Sequence, residues 1–304
     1  MFRKIFGSCL VLALAISPCF AGDVTPAPAN LSATAIVEKN VAARGGSQAW
    51  RAVQTLSLAG KMGVGGNQRA VLPTPSPIPG HVVTQQMLPK RPADEMQLPF
   101  VMEFKRSRKM RFELQFKGQT AVQVFDGTNG WKLRPYLNRL EVESYTPEEM
   151  KMASVQPELD GYLLDYSVKG TKVELAGMEK VEDRDTYKLK LTLKDGSSMH
   201  VWIDAQTFLE TKIEGQPRRL DGVYHPVEIY YRDYRPVDGL QIPFVLETRV
   251  LPVAKTATGM RDTPVPPERI TIENVVVNPK LDASLFSKPQ ISAAANVSAP
   301  SKTN

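Results

Sequence analysis

The residue types that most often carry chemistry are sparse in this sequence. Its three histidines, His81, His200 and His225, form no HExxH motif and no pair four residues apart, which argues against a zinc site. No G-x-S-x-G nucleophile elbow occurs. The glycine-rich stretch at 63–66 lacks the Lys-Ser/Thr of a phosphate-binding loop. We therefore expect no catalytic residues, no metal site and no cofactor.

Both cysteines, Cys9 and Cys19, lie in an N-terminal segment typical of a secretory signal peptide. Two basic residues precede an apolar run, and the small residues that follow suit cleavage after Ala21. A membrane anchor is the alternative, but the apolar run is short for one. We predict that residues 1–21 are removed, that the mature chain has no thiol, and that it is periplasmic.

The charge of the mature chain argues against nucleic acid as a partner. Removing residues 1–21 takes away two cations and leaves 36 Lys and Arg against 32 Asp and Glu, a net charge of +4. This excess is small and dispersed along the chain. The remaining 283 residues are enough to bury a large core.

Alternating apolar and polar residues dominate the chain after residue 50. In 109–116, Met110, Phe112, Leu114 and Phe116 alternate with charged or polar residues, as expected for a strand with one dry face. Similar stretches predict ten to twelve strands, mostly joined by hairpins and therefore antiparallel.

The stretch 186–214 predicts the register of one hairpin. A two-residue turn would place Leu191 opposite His200. A three-residue loop with a left-handed Gly196 pairs Leu191 with Met199, and it also pairs Leu189 with Val201. We favour the second register because it keeps one face apolar. It places Trp202 on the outer face.

Helices are predicted in only a few places. Residues 32–44 can form one, followed by a short helix at Trp50. Thr146-Pro147-Glu148-Glu149 is a capping box that starts a second helical region. A break at 156–157 separates its first part from the apolar stretch 158–166.

The predicted organisation is one folded domain with two long insertions. A flexible segment at 22–30 precedes the domain, which covers 31–286. The insertions are proline-rich loops at 71–99, with seven prolines, and at 251–268, with four. A small, polar tail at 287–304 is expected to be disordered.

The apolar face of so many strands must be covered. Stacked sheets, a closed barrel and a curved sheet around helices are the available solutions. Since two or three short helices cannot cover ten open strands, we predict a mainly β fold. In it, a strongly curved antiparallel sheet, an incomplete barrel, carries the helices as a lid over an apolar cavity. Ordinary core packing of the same residues stays open as the alternative.

Four stretches resemble the outer-membrane lipoprotein-sorting protein family, the superfamily of LolA-type carriers and LolB-type receptors. They are VAARGGSQAWRAVQTLSLAGKM, FDGTNGW, DRDTYKLKLTLKDGSSMHVWIDAQTFLETKIE and YRDYRPVDGLQIPFVLETRV. The resemblance implies an incomplete barrel closed by helices, with an interior that receives acyl chains. The arginine that latches the lid of known carriers is not assigned to any residue of this chain. The chain has no lipobox, which argues against the anchored receptor type.

The first functional hypothesis is a soluble, non-enzymatic periplasmic carrier that binds a lipid or the acyl chains of lipoproteins for envelope sorting. Its partners would include membrane transport components. The candidate cavity residues are apolar side chains of the predicted strands and lid: Met110, Phe112, Leu114, Trp131, Leu133, Met150, Leu163, Leu189, Leu191 and Val201.

Two other hypotheses stay open. The same fold could serve as an envelope sensor or scaffold that contacts a protein through the loop 71–99. An exported hydrolase ranks last because no nucleophile–base set is recognisable. The basic run 105–109 is interpreted as a solvated strand end, with contact to anionic headgroups as its alternative.

Overall fold

A computed structural model describes most of the predicted domain. The described residues are 31–64, 95–135, 139–156, 158–220, 223–254 and 265–290. The predicted signal peptide, the segment 22–30, residues 71–94 of the first proline-rich loop and the tail from 291 lie outside them.

One antiparallel sheet of thirteen strands dominates the described residues, so the mainly β prediction is confirmed. The strands are β1 (Thr55–Val64), β2 (Met96–Lys105), β3 (Lys109–Phe116), β4 (Gln119–Phe125), β5 (Gly130–Arg134), β6 (Arg139–Ser144), β7 (Lys172–Val181), β8 (Arg184–Thr192), β9 (Ser198–Asp204), β10 (Glu210–Leu220), β11 (Val223–Val237), β12 (Leu240–Val250) and β13 (Glu268–Val277). Their order is β6-β5-β4-β3-β2-β1-β13-β12-β11-β10-β9-β8-β7, and the sheet is not closed into a barrel.

The sheet curves around one cavity. Phe125 of β4 and Val201 of β9 border the same space although their strands are eight positions apart. In a flat sheet that separation is about 38 Å, at about 4.8 Å per strand. We call the face that carries Phe125 and Val201 concave and the other face convex.

The hairpin β8–β9 has the predicted register. Leu191 pairs with Met199, and Leu189 pairs with Val201. Gly196 has a φ of 84°, a left-handed conformation that glycine adopts without a steric penalty. The two leucines are fully buried on the concave side, so the three-residue loop is confirmed.

Trp202 lies on the convex face, as this register requires. It is nonetheless only 3% exposed. Lys212 Nζ lies 3.9 Å from the centre of the indole ring, and Lys188 Nζ lies 5.0 Å from it. Cross-strand lysines therefore shield this side chain from water through cation–π contacts.

Three short α-helices accompany the sheet in the described part of the chain. The first, α1 (Ala33–Ala43), is capped by the Ser32 hydroxyl, which accepts a hydrogen bond from the Ala35 amide. The second, α2 (Ser47–Ala52), carries the buried Trp50. Gly45 lies between them with a φ of 112°, and a Cβ there would fall 2.3 Å from the Gly239 carbonyl oxygen. This approach fixes α1 and α2 against the β11–β12 turn.

The third helix, α3 (Pro147–Val155), begins with the predicted capping box. The Thr146 hydroxyl accepts from the Glu149 amide, and the Glu149 carboxylate accepts from the Thr146 amide. All of α3 is described, and none of its residues is buried. This helix is therefore held by polar contacts and not by an apolar core.

The expected second part of this helical region is a series of turns instead of a helix. Gly161 and Asp165 have positive φ values of 80° and 51°, which interrupt a right-handed helix. Leu163 and Leu164 are still buried. We call α3 together with the turn segment 158–170 the lid.

The first proline-rich insertion is shorter than expected at its C-terminal end. Strand β2 already begins at Met96, because Leu98 and Phe100 alternate inward and are buried. The second insertion ends where β13 starts at Glu268. A 3-10 turn, Ala283–Phe286, follows β13. Phe286 is buried, and the Leu285 carbonyl accepts a hydrogen bond from Arg111 of β3.

Candidate functional site: an apolar cavity under a lid

The cavity encloses about 840 Å³ between the concave face and the lid. This volume lies within the range of about 300–1,000 Å³ that is typical of small-molecule sites. One wall consists of apolar side chains from β1 to β4: Leu56, Leu58, Met62, Met102, Phe104, Met110, Phe112 and Phe125. The opposite wall comes from β9 to β13: Val201, Ile213, Ile229, Ile242, Leu246 and Ile272.

The lid covers this space with few apolar side chains. Ala153 of α3 and Leu159, Tyr162 and Leu163 of the turn segment border the cavity. Leu163 is 2% exposed, whereas Met152 on α3 is 39% exposed. The turn segment is therefore anchored in the core, while α3 rests on the surface.

Asp160 ties the turn segment to the rest of the molecule. Its carboxylate accepts from Arg106 Nη2 at 2.9 Å and from Lys169 Nζ at 2.5 Å. Its backbone carbonyl accepts from Arg44 Nη1 at 2.9 Å. Arg106 also donates to the Val53 carbonyl, so Asp160 links the lid to the end of α2.

An ion pair holds α3 at its N-terminus. Lys132 of β5 belongs to the concave face because it pairs with Gln123, which borders the cavity. Its Nζ lies 2.6 Å from both carboxylate oxygens of Glu149, and its side chain is 7% exposed. Partial burial acts to raise the pKa of Glu149, but the hydrogen bonds from Lys132 and the Thr146 amide outweigh burial and hold this pKa below its usual range.

A group of polar side chains interrupts the apolar lining at the end of α1. We call this group the polar pole; its members are Arg44, Tyr162, Glu210, Tyr231 and Tyr234. Arg44 Nη1 lies 3.4 Å from the Glu210 carboxylate, and its guanidinium stacks 4.5 Å from the Trp50 ring centre. The Tyr234 hydroxyl donates to the Glu210 backbone carbonyl at 3.0 Å. Tyr231 borders the cavity beside them.

Asp233 explains how two tyrosines of one strand reach this pole. In a regular strand, residues three apart lie on opposite faces. Asp233 has a φ of 53°, which breaks the alternation between Tyr231 and Tyr234, and both border the cavity.

Four of the ten predicted cavity residues border the space: Met110, Phe112, Leu163 and Val201. Leu189 and Leu191 share the concave face but are fully buried in the core, in the half of the sheet where α1 packs against β7. Leu114 packs against the buried cluster around Phe100.

The remaining three predictions differ from the structure for two reasons. Trp131 pairs with Val124, and Leu133 pairs with Val122, so both lie on the convex face. Met150 is half-buried on α3, where Ala153 borders the cavity instead.

The sequence pattern did not predict the polar pole. Arg44 follows the last residue of α1, a position that helix capping explains equally well. The tyrosines of β11 stand in a long strand whose faces could not be assigned without Asp233. A cluster of three aromatic residues, Tyr230, Tyr231 and Tyr234, in one strand was the only available signal.

The part of the chain that the structure describes contains neither a metal-binding cluster nor a helix that could span a membrane. There, no three His, Cys, Asp or Glu side chains come together in a way that could hold a metal ion. Among the same residues, no helix is long and apolar enough to span a bilayer.

Comparison with known proteins finds similar solved structures. No protein-family model matches the chain, and no curated protein matches it. A LolA superfamily protein from Nitrosomonas europaea is 13% identical, with a TM-score of 0.49 over 85% of this chain and 99% of that one. A DUF1329 family protein from Desulfovibrio piger is 14% identical, with a TM-score of 0.49 over 84% and 97%.

A third solved structure has a similar relation to the chain. It is a putative outer membrane lipoprotein-sorting protein domain from Vibrio parahaemolyticus, 10% identical, with a TM-score of 0.46 over 84% of this chain and 96% of that one. Two of these three structures carry names of the family that the sequence resembles. Because the identities and TM-scores are low, only the cavity's own residues support a statement about function.

Proposed function

We propose that this chain is a soluble periplasmic carrier that binds a lipid, or the acyl chains of a lipoprotein, non-covalently in the cavity. The observation that carries the proposal is an apolar space of about 840 Å³ that the chain's own side chains leave unfilled. A pocket of this size with a mostly apolar lining is typical of a binding site for a small molecule, so a guest is expected there.

Binding by burial alone can supply the affinity. Each methylene group that leaves water contributes about 0.8 kcal/mol, so an acyl chain of ordinary length needs no charged contact. The methionines among the lining residues, Met62, Met102 and Met110, have flexible side chains that adapt to a mobile chain.

Entry and release require the lid to move. Because α3 has no fully buried residue, displacing it breaks mainly its polar contacts, chiefly the pair between Lys132 and Glu149. The turn segment is held more firmly by Leu163 and by the contacts of Asp160. In the proposed mechanism, α3 opens first and the carrier delivers its guest to a membrane component of the envelope.

A filled cavity tests this function. Leu246→Trp would place an indole in the space that Leu246 borders, whereas Leu175→Trp makes the same exchange on the exposed edge strand β7. Native mass spectrometry of gently purified protein should detect bound lipid on the wild type and on Leu175→Trp. Leu246→Trp should carry at least about tenfold less. Equal lipid loading of the two variants, or none on the wild type, would refute the proposal.

A further inference from the structure

Two tyrosine hydroxyls at the polar pole lack a partner. Tyr162 and Tyr231 both border the cavity, one from the lid and one from β11. Neither hydroxyl forms a hydrogen bond with any of the described residues. A donor in a partly desolvated space is costly unless something accepts from it.

The phenols remain donors over the whole physiological pH range. Burial raises the pKa of Tyr231 well above its ordinary value, and the nearby Glu210 carboxylate raises it further. Burial also raises the pKa of Tyr162. Each therefore offers one O–H group to the cavity and no negative charge.

The charges beside these phenols are already balanced. Arg44 is paired with Glu210, and their side chains are 12% and 13% exposed. Arg108 and Arg218, which border the cavity elsewhere, are paired with Glu158 and Glu268. The pole consequently offers hydrogen-bond donors but no free cation for an anion.

Two further lysines border the cavity, but their side chains point away from it. Lys105 and Lys109 alternate with Phe104 and Met110, which lie on the concave face. Their side chains are therefore placed on the convex face at the ends of β2 and β3. There the charge of Lys105 interacts with the Asp282 carboxylate, and the charge of Lys109 interacts with the Asp126 carboxylate.

We propose that the polar pole binds the neutral carbonyl of the guest's ester or amide linkage, with the hydroxyls of Tyr162 and Tyr231 as hydrogen-bond donors. This inference rests on the proposed function and adds the class of ligand: an acyl ester or amide, in preference to a free fatty acid. The hydrocarbon chain then extends over the wall formed by β1 to β4. A carboxylate at the same place would lose its hydration without gaining a counter-ion.

The test compares three guests with twelve-carbon chains. Monolauroylglycerol carries a neutral ester, laurate carries a carboxylate, and dodecane carries no polar group. Each competes with a fluorescent probe bound to the purified full chain at neutral pH. The wild type should bind monolauroylglycerol at least about tenfold more tightly than laurate, since only the ester is accepted without an unpaired charge.

The variant Tyr162→Phe/Tyr231→Phe removes the two hydroxyls and little else. It should lose about tenfold in affinity for monolauroylglycerol, as expected for two hydrogen bonds, and nothing for dodecane. Tyr230→Phe is the matched control, because Tyr230 lies on the convex face and its hydroxyl donates to Glu228. The control should bind all three guests as the wild type does. Each single variant, Tyr162→Phe and Tyr231→Phe, should show a smaller loss in the same direction.

The outcomes separate the two proposals. Tighter binding of laurate than of the ester, unchanged ester affinity in the double variant, or equal losses for ester and dodecane would each overturn the role of the phenols while leaving acyl binding intact. If the wild type binds none of the three guests, the proposed function fails, and this inference fails with it.

Discussion

Asp160 concentrates the contacts that hold the lid's turn segment. Its side chain is only 6% exposed, whereas those of Arg106 and Lys169 are 23% and 27% exposed. The carboxylate accepts from both cations and is compensated by them. Removing the negative charge would leave two partly buried cations facing each other.

Asp160→Asn should therefore lower the free energy of unfolding by about 2 kcal/mol, less than for a fully buried pair because both cations reach water. Denaturant titration measures this change in the free energy of unfolding. Asp185→Asn is the control, since the pair of Asp185 with Lys180 is 62% and 70% exposed at the two side chains. The control should change stability by less than about 0.5 kcal/mol. Equal effects of the two substitutions would contradict the anchoring role of Asp160.

Glu182 predicts a pH dependence on the convex face. Hydrogen bonds from Arg232, and then the charges of Arg232 and Arg249, lower its pKa to about 2. A carboxylate with a depressed pKa stabilises the fold above its unfolded-state pKa of about 4.3, and this contribution is lost as the pH falls toward 2.

Glu182→Gln should consequently reduce stability at neutral pH by less than about 1 kcal/mol, since the carboxylate is 46% exposed and screened by solvent. The difference between variant and wild type should shrink as the pH falls from about 4 to about 2. Chemical unfolding across this pH range measures both curves. A difference that stays constant with pH would exclude an electrostatic origin.

At the scale of elements, two helices with similar caps should respond differently to losing them. Ser32 caps α1, which buries Ile36 and Val37, whereas Thr146 caps α3, which has no fully buried residue. Loss of an N-cap costs about 1 kcal/mol in either helix. Only in α1 is that cost coupled to the core.

Ser32→Ala should lower the global free energy of unfolding by about 1 kcal/mol. Thr146→Ala should leave global stability almost unchanged and accelerate amide hydrogen exchange within α3 alone. Exchange measured by mass spectrometry, together with denaturant titration, distinguishes the two. A global loss in Thr146→Ala would mean that α3 is part of the core and cannot open independently.

Local patterns predicted those elements whose partners are also local. The β8–β9 register follows from Gly196 and from one apolar face, and the capping box follows from four consecutive residues. The side of Trp131 and Leu133 could not be derived in this way. Strand β4 is apolar on both faces, because Val122 and Val124 are buried on the convex side while Ala121 and Phe125 are buried on the concave side. In β5 the apolar residues lie on the convex face. Alternation alone does not reveal which face encloses the cavity.

The turn segment shows a second limit of local patterns. Leucines at 159, 163 and 164 have helical spacing, but Gly161 and Asp165 adopt positive φ values. Tertiary contacts override the helical preference here, since Arg44 and Arg106 bind Asp160 from distant parts of the chain. The polar pole escaped prediction for the same reason, because its members come from the end of α1, the lid, β10 and β11.

At the scale of the whole molecule, the sheet divides into a filled part and an unfilled part. On the side of β7 to β9, Leu189 and Leu191 are fully buried and α1 packs against β7. Between the wall of β1 to β4 and the wall of β9 to β13, part of the space under the lid stays unfilled, and this space is the cavity. The curved sheet thus surrounds the space for a guest, and α3, which has no fully buried residue, is the part of the lid that can move aside.

The location of the guest tests this account most directly. With methionine methyl groups labelled with carbon-13, intermolecular nuclear Overhauser effects from a bound acyl chain report which methionines it contacts. We predict contacts with the methyls of Met62, Met102 and Met110, which border the cavity, and none with Met178 at the edge of β7 or with the buried Met199. Contacts confined to Met178, or a bound acyl chain that contacts no cavity methionine, would contradict the claim that the space under the lid is the binding site.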